Sequence, residues 1–133
     1  VFISVNDHDK EGIVVPARTF QKLGFTIMST RGTAAFLAQR GVDCQVVNKV
    51  YEGRPNVADH IKNGDIQLVI NTSSGKRTKE DSSELRRATI LYGLPYTTNL
   101  AAAKALALAV KECQAAGLDV KCLQEYYAGS KEF

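Results

Sequence analysis

The sequence predicts an alternating α/β domain built on a mostly parallel sheet, and three observations carry that prediction. Ile66–Ile70 is a short apolar run rich in Ile and Val, the composition of a strand buried on both faces inside a parallel sheet. Gly24, Gly41, Gly64, Gly93 and Gly117 each close a helix-compatible segment, and a strand-like segment follows each of them within a few residues. The chain of 133 residues, 44% hydrophobic and 23% charged, has the length and composition of one ordinary domain with its own core.

Taken in order, Val1–Val5 reads as the first strand. Glu11–Leu23 follows as a helix, with Ile13, Ala17 and Phe20 one turn apart on a single face. Pro16 is tolerated only in a first turn, so a late or irregular helix start is expected. Phe25–Ser29 is the second strand, and Thr33 is the expected N-cap of a helix over Ala34–Arg40. Cys44–Asn48 is the third strand, leading into the connection Lys49–Pro55, long enough to be functional. Asn56 caps a short helix to Asn63, and Ile66–Ile70 runs into the polar loop Asn71–Gly75. Asp81 and Glu84 have capping-box spacing for a helix over Ser82–Tyr92. Tyr96–Thr98 is a short strand, Asn99 caps the Ala-rich helix Leu100–Ala116, and Val120–Tyr126 is a final strand or edge segment. No repeat or linker interrupts the chain.

Bulk chemistry narrows the partners. A formal charge of +3, with no basic stripe interleaved with aromatics, suits a small anionic ligand and argues against nucleic acid. No apolar run is long enough to span a bilayer and no signal-peptide pattern opens the chain, so no membrane partner is expected. Three cysteines without C-x-x-C spacing read as reduced thiols of a cytoplasmic protein. His8 and His60 have no metal-site spacing. The start at Val1, directly in a strand-like run, looks like a piece of a longer protein.

Polar residues gather where strands end: Asn6 and Lys10, Thr30 and Thr33, Lys49, Asn71 to Gly75, and Thr97 with Thr98. Right-handed crossovers place these loops on one edge of a parallel sheet, where open α/β folds bind ligands. Hydroxyls, helix N-terminal amides and two lysines together make a phosphate site. Read singly, Thr33, Asn56, Asp81 and Asn99 are helix caps; together the strand-end residues favour a ligand site. Sharper motifs fail. Ser73-Ser74-Gly75-Lys76 lacks the glycine and hydroxyl of a P-loop, having Ile70 and Arg77 in their places, and no G-x-G-x-x-G follows a strand.

The runs Asn48-Lys49-Val50-Tyr51-Glu52-Gly53-Arg54-Pro55, Ile61-Lys62-Asn63-Gly64 and Ile70-Asn71-Thr72-Ser73-Ser74-Gly75 closely resemble the C-terminal regulatory domain of carbamoyl-phosphate synthase large subunits. Ser4-Val5 with Asp9-Lys10, Thr30-x-Gly32-Thr33 and Tyr96-x-Thr98 fall in matching order, so the similarity covers essentially the whole chain. The resemblance implies a methylglyoxal synthase-like fold, three-layer α/β/α with a mostly parallel five-stranded sheet. It implies an allosteric site for a nucleotide monophosphate, UMP or IMP. Lys10, Thr30, Thr33 and Lys49 would hold the phosphate, and Ser4, Asn71, Ser73, Ser74 and Gly75 would line the pocket. The family often has Thr where this chain has Ser73; the hydroxyl is kept. Tyr96 and Thr98 correspond to residues near an ornithine site at the junction with the second synthetase half. That site takes carboxylates from elsewhere in the parent, so this chain alone should bind ornithine poorly. Some members of the family respond to an acylated amino acid instead, and the nucleotide-type Thr30, Thr33 and Lys49 lean against that here.

The same resemblance implies no cofactor in this domain. ATP, Mg and K would belong to the parent enzyme, which makes carbamoyl phosphate for arginine and pyrimidine synthesis. The implied partners are the synthetase domains of the same chain and a glutaminase small subunit. The alternative is a methylglyoxal synthase-like lyase acting on dihydroxyacetone phosphate, which needs a positioned base. The position of its catalytic aspartate looks like Arg54 here, and its histidine positions look like Asn6 and Thr78. A guanidinium cannot serve as that base, and Asp7 and Asp81 read as partnerless loop and cap residues. The related IMP cyclohydrolase domain carries a Lys-Thr-Leu-His segment that this chain lacks. No catalytic residue is therefore expected.

Overall fold

In the computed structural model, which describes residues 1–72 and 76–128 (the side chains of 76–81 excepted), the short apolar runs form five strands. These are β1 (Phe2–Ser4), β2 (Ile27–Ser29), β3 (Cys44–Val46), β4 (Val69–Asn71) and β5 (Tyr96–Thr97). They pair in the order β3-β2-β1-β4-β5, every pair parallel. The helices are α1 (Lys10–Lys22), α2 (Arg31–Gln39), α3 (Val57–Lys62), α4 (Lys76–Leu91), α5 (Leu100–Ala116) and α6 (Leu123–Ala128).

Side chains alternate across the pleat, and that alternation builds the layers. Val1, Ile3 and Val5 pack with Ile13, Ala17 and Phe20 of α1, Leu37 of α2 and Ala103 and Ala107 of α5. Phe2, Met28 and Val69 point the other way, onto Val57 and Ile61 of α3 and Leu85 of α4. The result is a three-layer α/β/α domain. The glycine stops are real: Gly41 and Gly64 take φ of 76° and 79°, the left-handed conformation that ends the preceding helices.

Several expected boundaries move. Helix α1 starts at Lys10 and keeps Pro16 in its interior. The irregularity lies one turn earlier, in a single 3-10 turn over Asp7–Asp9. Burial of Ile13, Ala17 and Phe20 on either side of the proline holds the helix through the missing hydrogen bond. The N-cap of α2 is Thr30, not Thr33, because β2 ends at Ser29 and the chain turns at once. Strand β4 begins at Val69 rather than Ile66 and extends to Asn71. Helix α4 begins at Lys76, so Asp81 and Glu84 lie inside it and form no N-terminal box. Val120–Tyr126 is not a strand. Glu125 accepts the Cys122 N–H at 2.7 Å and caps the short helix α6, a local bond that outweighs the apolar alternation.

The strand order sets the position of the site. From β1 the chain winds through β2 to β3 on one side; from β4 it moves the opposite way to β5. The connections leaving β1 and β4 therefore diverge, and a crevice opens at their carboxyl ends.

Candidate functional site

At that crevice lies a cavity of about 420 Å³, within the usual range for small-ligand sites. Ser4 at the end of β1 is in register with Asn71 at the end of β4, and both line it. Thr30, just past β2, and Thr33 in the first turn of α2 line it as well.

The hydroxyls of half-buried Ser4 and of buried Thr30 and Thr33 form a chain. Ser4 Oγ and Thr30 Oγ1 are 3.3 Å apart, and Thr30 Oγ1 donates to Thr33 Oγ1 at 3.4 Å. Thr33 Oγ1 in turn accepts the backbone N–H of Val5 at 3.3 Å. Thr33 is only 2% exposed, which explains why its hydroxyl is used in packing rather than in capping. Thr30 has the extended backbone of an N-cap, yet its side chain makes no capping bond. The first helical bond is Ala34 N–H to Thr30 carbonyl, at 2.8 Å. The N–H groups of Arg31, Gly32 and Thr33 therefore have no partner within the helix, and all three residues line the cavity. Unspent amides at the positive end of a helix dipole form an anion-binding surface.

Cations flank this surface. Lys10, in the first turn of α1, lines the cavity with its Nζ 2.7 Å from Asp7 Oδ1. The hydrogen bond from Lys10, then the charge of its ammonium, holds the Asp7 carboxyl below the usual carboxylate range. Lys49 enters from the β3 side, on a connection pinched at its base where Val57 N–H donates to the Asn48 carbonyl at 3.0 Å. The Lys49 N–H donates to Glu52 Oε2 at 2.8 Å, closing the single 3-10 turn Val50–Glu52.

The opposite wall is built from amides. Asn71 Nδ2 donates to Ser82 Oγ at 3.0 Å and to the Tyr96 hydroxyl at 2.9 Å. The Arg86 guanidinium lies 5.7 Å from the centre of the Tyr96 ring. Thr72 Oγ1 accepts both the Asn6 backbone N–H (3.1 Å) and Asn6 Nδ2 (3.2 Å), joining the loops after β1 and β4.

Of the residues singled out from sequence, Ser4, Lys10, Thr30, Thr33, Lys49 and Asn71 meet at one cavity. Ser73, Ser74 and Gly75 lie outside the described residues. Tyr96 does not line the cavity but is joined to it through Asn71; Thr98 is exposed, just beyond β5. Asp7, expected to be a partnerless loop residue, lines the cavity and is paired with Lys10. Arg54 is engaged elsewhere, with Asp59 at 2.8 Å. Sequence reasoning missed Arg31, Glu52 and Ser82 as lining residues. Glu52 had a signal, being three residues from Lys49 across a tight turn; Ser82 had none, because the start of α4 was misplaced. Among the described residues no group of three metal-binding side chains occurs, and no helix is long and apolar enough to cross a membrane.

Comparison with known proteins places this geometry in a family. The profile of the MGS-like domain matches residues 12–98. The chain is 47% identical over 127 residues to the carbamoyl phosphate synthase large chain of Rhizobium meliloti, covering 96% of this chain and 11% of that one. The C-terminal section of the carbamoyl phosphate synthase large chain from Methanopyrus kandleri is 45% identical over 128 residues, and that from Aquifex aeolicus 48% over 132. Here the match covers 96% of this chain but 24% and 25% of the relatives, so the chain spans a quarter or less of each of these three. By profile, fold and strand order together, the chain belongs to the MGS-like domain family.

Proposed function

We propose that this chain is the effector-binding domain of a carbamoyl-phosphate synthase large chain, and that the cavity between the ends of β1 and β4 takes a nucleoside monophosphate such as UMP or IMP. One observation carries this reading: Arg31, Gly32 and Thr33, whose amides have no partner within α2, line the same cavity as Lys10, Lys49 and the linked hydroxyls of Ser4, Thr30 and Thr33. A phosphate monoester, with about −1.5 to −2 charge and three acceptor oxygens, matches that donor set. Identity of 45–48% to the C-terminal sections of such large chains supports the parentage. ATP, Mg and K, the synthetase domains and a glutaminase subunit belong, in this reading, to the rest of the enzyme.

Regulation needs a ligand that favours one arrangement of the domain against its neighbour over another. Asn71 offers the link, since it lines the cavity and bonds Tyr96 on β5. In this reading Tyr96 and Thr98 face the synthetase, and effector contacts at Asn71 bias that junction by about 1–3 kcal/mol, the usual scale of coupling. A lyase reading has weaker support: the lining carboxylate paired with Lys10, Asp7, is held below the usual carboxylate range and is a poor base.

Calorimetric titration with UMP, IMP and inorganic phosphate tests the proposal. Lys49→Ala should weaken all three by about tenfold or more, or ~1.4 kcal/mol. No binding by the unaltered chain, or brisk methylglyoxal formation from dihydroxyacetone phosphate, would overturn it.

A further inference from the structure

Two acidic residues line a cavity whose remaining charged and dipolar groups favour anions. Asp7 and Glu52 both line it, and each is bonded to a segment that supplies a lysine. Asp7 Oδ1 lies 2.7 Å from Lys10 Nζ, and Glu52 Oε2 lies 2.8 Å from the Lys49 backbone nitrogen. We propose that Asp7 and Glu52 set a charge limit on the cavity, admitting ligands with one phosphate and rejecting those with two or three. This inference rests on the phosphate-site reading above and adds the selection rule.

Neither carboxylate is needed as a charge by the fold. The Asp7 side chain is 91% exposed, and an ion pair that exposed contributes little to stability. Glu52 accepts one N–H to close its turn, and a neutral glutamine oxygen can do the same. Their charges are therefore free to act on a ligand. Among the described lining residues, the cations that share the cavity with Asp7 and Glu52 are Lys10, Arg31 and Lys49. A single phosphate can occupy the α2 amides and both lysines, displacing Asp7 from Lys10 at modest cost. Each further phosphate adds negative charge beside these carboxylates, and like charges a few ångströms apart repel even in water, an effect that falls as salt rises. Selection by a built-in repulsive element is a general route to specificity.

The test measures uridine mono-, di- and triphosphate and inorganic phosphate, without divalent cations, on the unaltered chain, Asp7→Asn, Glu52→Gln and the double variant. The unaltered chain should prefer the monophosphate over the triphosphate by about tenfold, and each single variant should shrink that ratio about threefold. The double variant should bind both alike, with inorganic phosphate bound as tightly as before or tighter. A general structural defect would instead weaken every ligand equally, leave the ratio in place, and overturn the proposal. Equal binding of all three nucleotides by the unaltered chain removes the charge limit alone. Binding of none removes the phosphate site and the limit with it.

Discussion

Two hollows lie on opposite edges of the sheet, the one at the amino edge the shallower. One, of about 420 Å³, opens at the carboxyl ends of β1, β2 and β4; the other, of about 400 Å³, lies at the amino ends of β2 and β3 among Gln21, Phe25, Ile27 and Cys44. What distinguishes their chemistry is the supply of unspent polar groups. At the carboxyl edge α2 begins, and its first amides have no helical partner. At the amino edge α1 ends, and its closing turn is already bonded: Leu23 N–H to the Thr19 carbonyl, Gly24 N–H to Gln21, and Phe25 N–H to Phe20. The carboxyl edge holds Lys10, Lys49 and buried threonines, while the amino edge holds Asp43 and a half-buried thiol. A parallel sheet with helical crossovers makes this asymmetry unavoidable, because helix N-termini collect at one edge only.

The largest effect should come from placing a charge at the centre of that asymmetry. A Cβ on Gly32 meets nothing within 4 Å, so Gly32→Asp should fit. An acidic residue in a first helical turn adds about 0.3–1 kcal/mol of stability. The variant should therefore unfold in urea no earlier than the unaltered chain, yet lose phosphate affinity by about a hundredfold in calorimetry. Retained affinity would show that the α2 terminus is not the phosphate seat.

Next in size is the loss of a buried acceptor. Thr33→Val leaves the Val5 N–H without its partner and should cost about 1–3 kcal/mol in urea unfolding. Thr26→Val, at the exposed rim of the other cavity, should change stability by less than about 0.5 kcal/mol. Similar losses for both would erase the distinction between the two edges.

Smaller again is Tyr96→Phe, which removes one acceptor of Asn71 outside the cavity. It should cost about 0.5–1.5 kcal/mol and weaken nucleotide more than inorganic phosphate. Equal weakening of both ligands would mean that Asn71 does not read the nucleoside.

The smallest effect is kinetic. Burial pushes the Cys44 thiol up from its usual range, so its thiolate forms only at higher pH than that of an exposed cysteine. At mildly alkaline pH an alkylating reagent should modify exposed Cys113 and Cys122 first, and saturating phosphate should leave Cys44 as slow as before. Mass spectrometry of digests reads both outcomes. Protection or acceleration of Cys44 by phosphate would place the anion at the wrong edge.

Much of this architecture is legible in the chain because it rests on local chemistry. Asn56 and Asn99 cap their helices as side-chain chemistry requires, accepting from Ala58 and Asp59 and from Ala102. The glycine stops follow from the same local rule. Thr30 and Thr33 show where such reasoning runs out. Both are hydroxyls at helix-start spacing, and the choice between them depends on Val5, 28 residues away from Thr33, which claims its oxygen. Glu84 is a second case: its spacing from Asp81 suggests a local box, but α4 starts earlier, at Lys76, and the Glu84 carboxylate accepts the Tyr51 hydroxyl at 3.1 Å. In both, where the helix begins and what the side chain meets across the fold lie beyond local spacing. For the site, the residue types could be read from sequence and Glu52 had its spacing from Lys49, but Asp7 joins the cavity only because the turn after β1 folds toward it.

The most direct test of the central claim is the set of backbone amide resonances of this chain, followed during titration with a nucleoside monophosphate. An anion seated on the α2 terminus predicts the largest shifts at Arg31, Gly32 and Thr33, with Lys10 and Lys49 following and Gln21, Phe25 and Cys44 unmoved. Shifts centred on the amino edge, or spread evenly over the sheet, would contradict it.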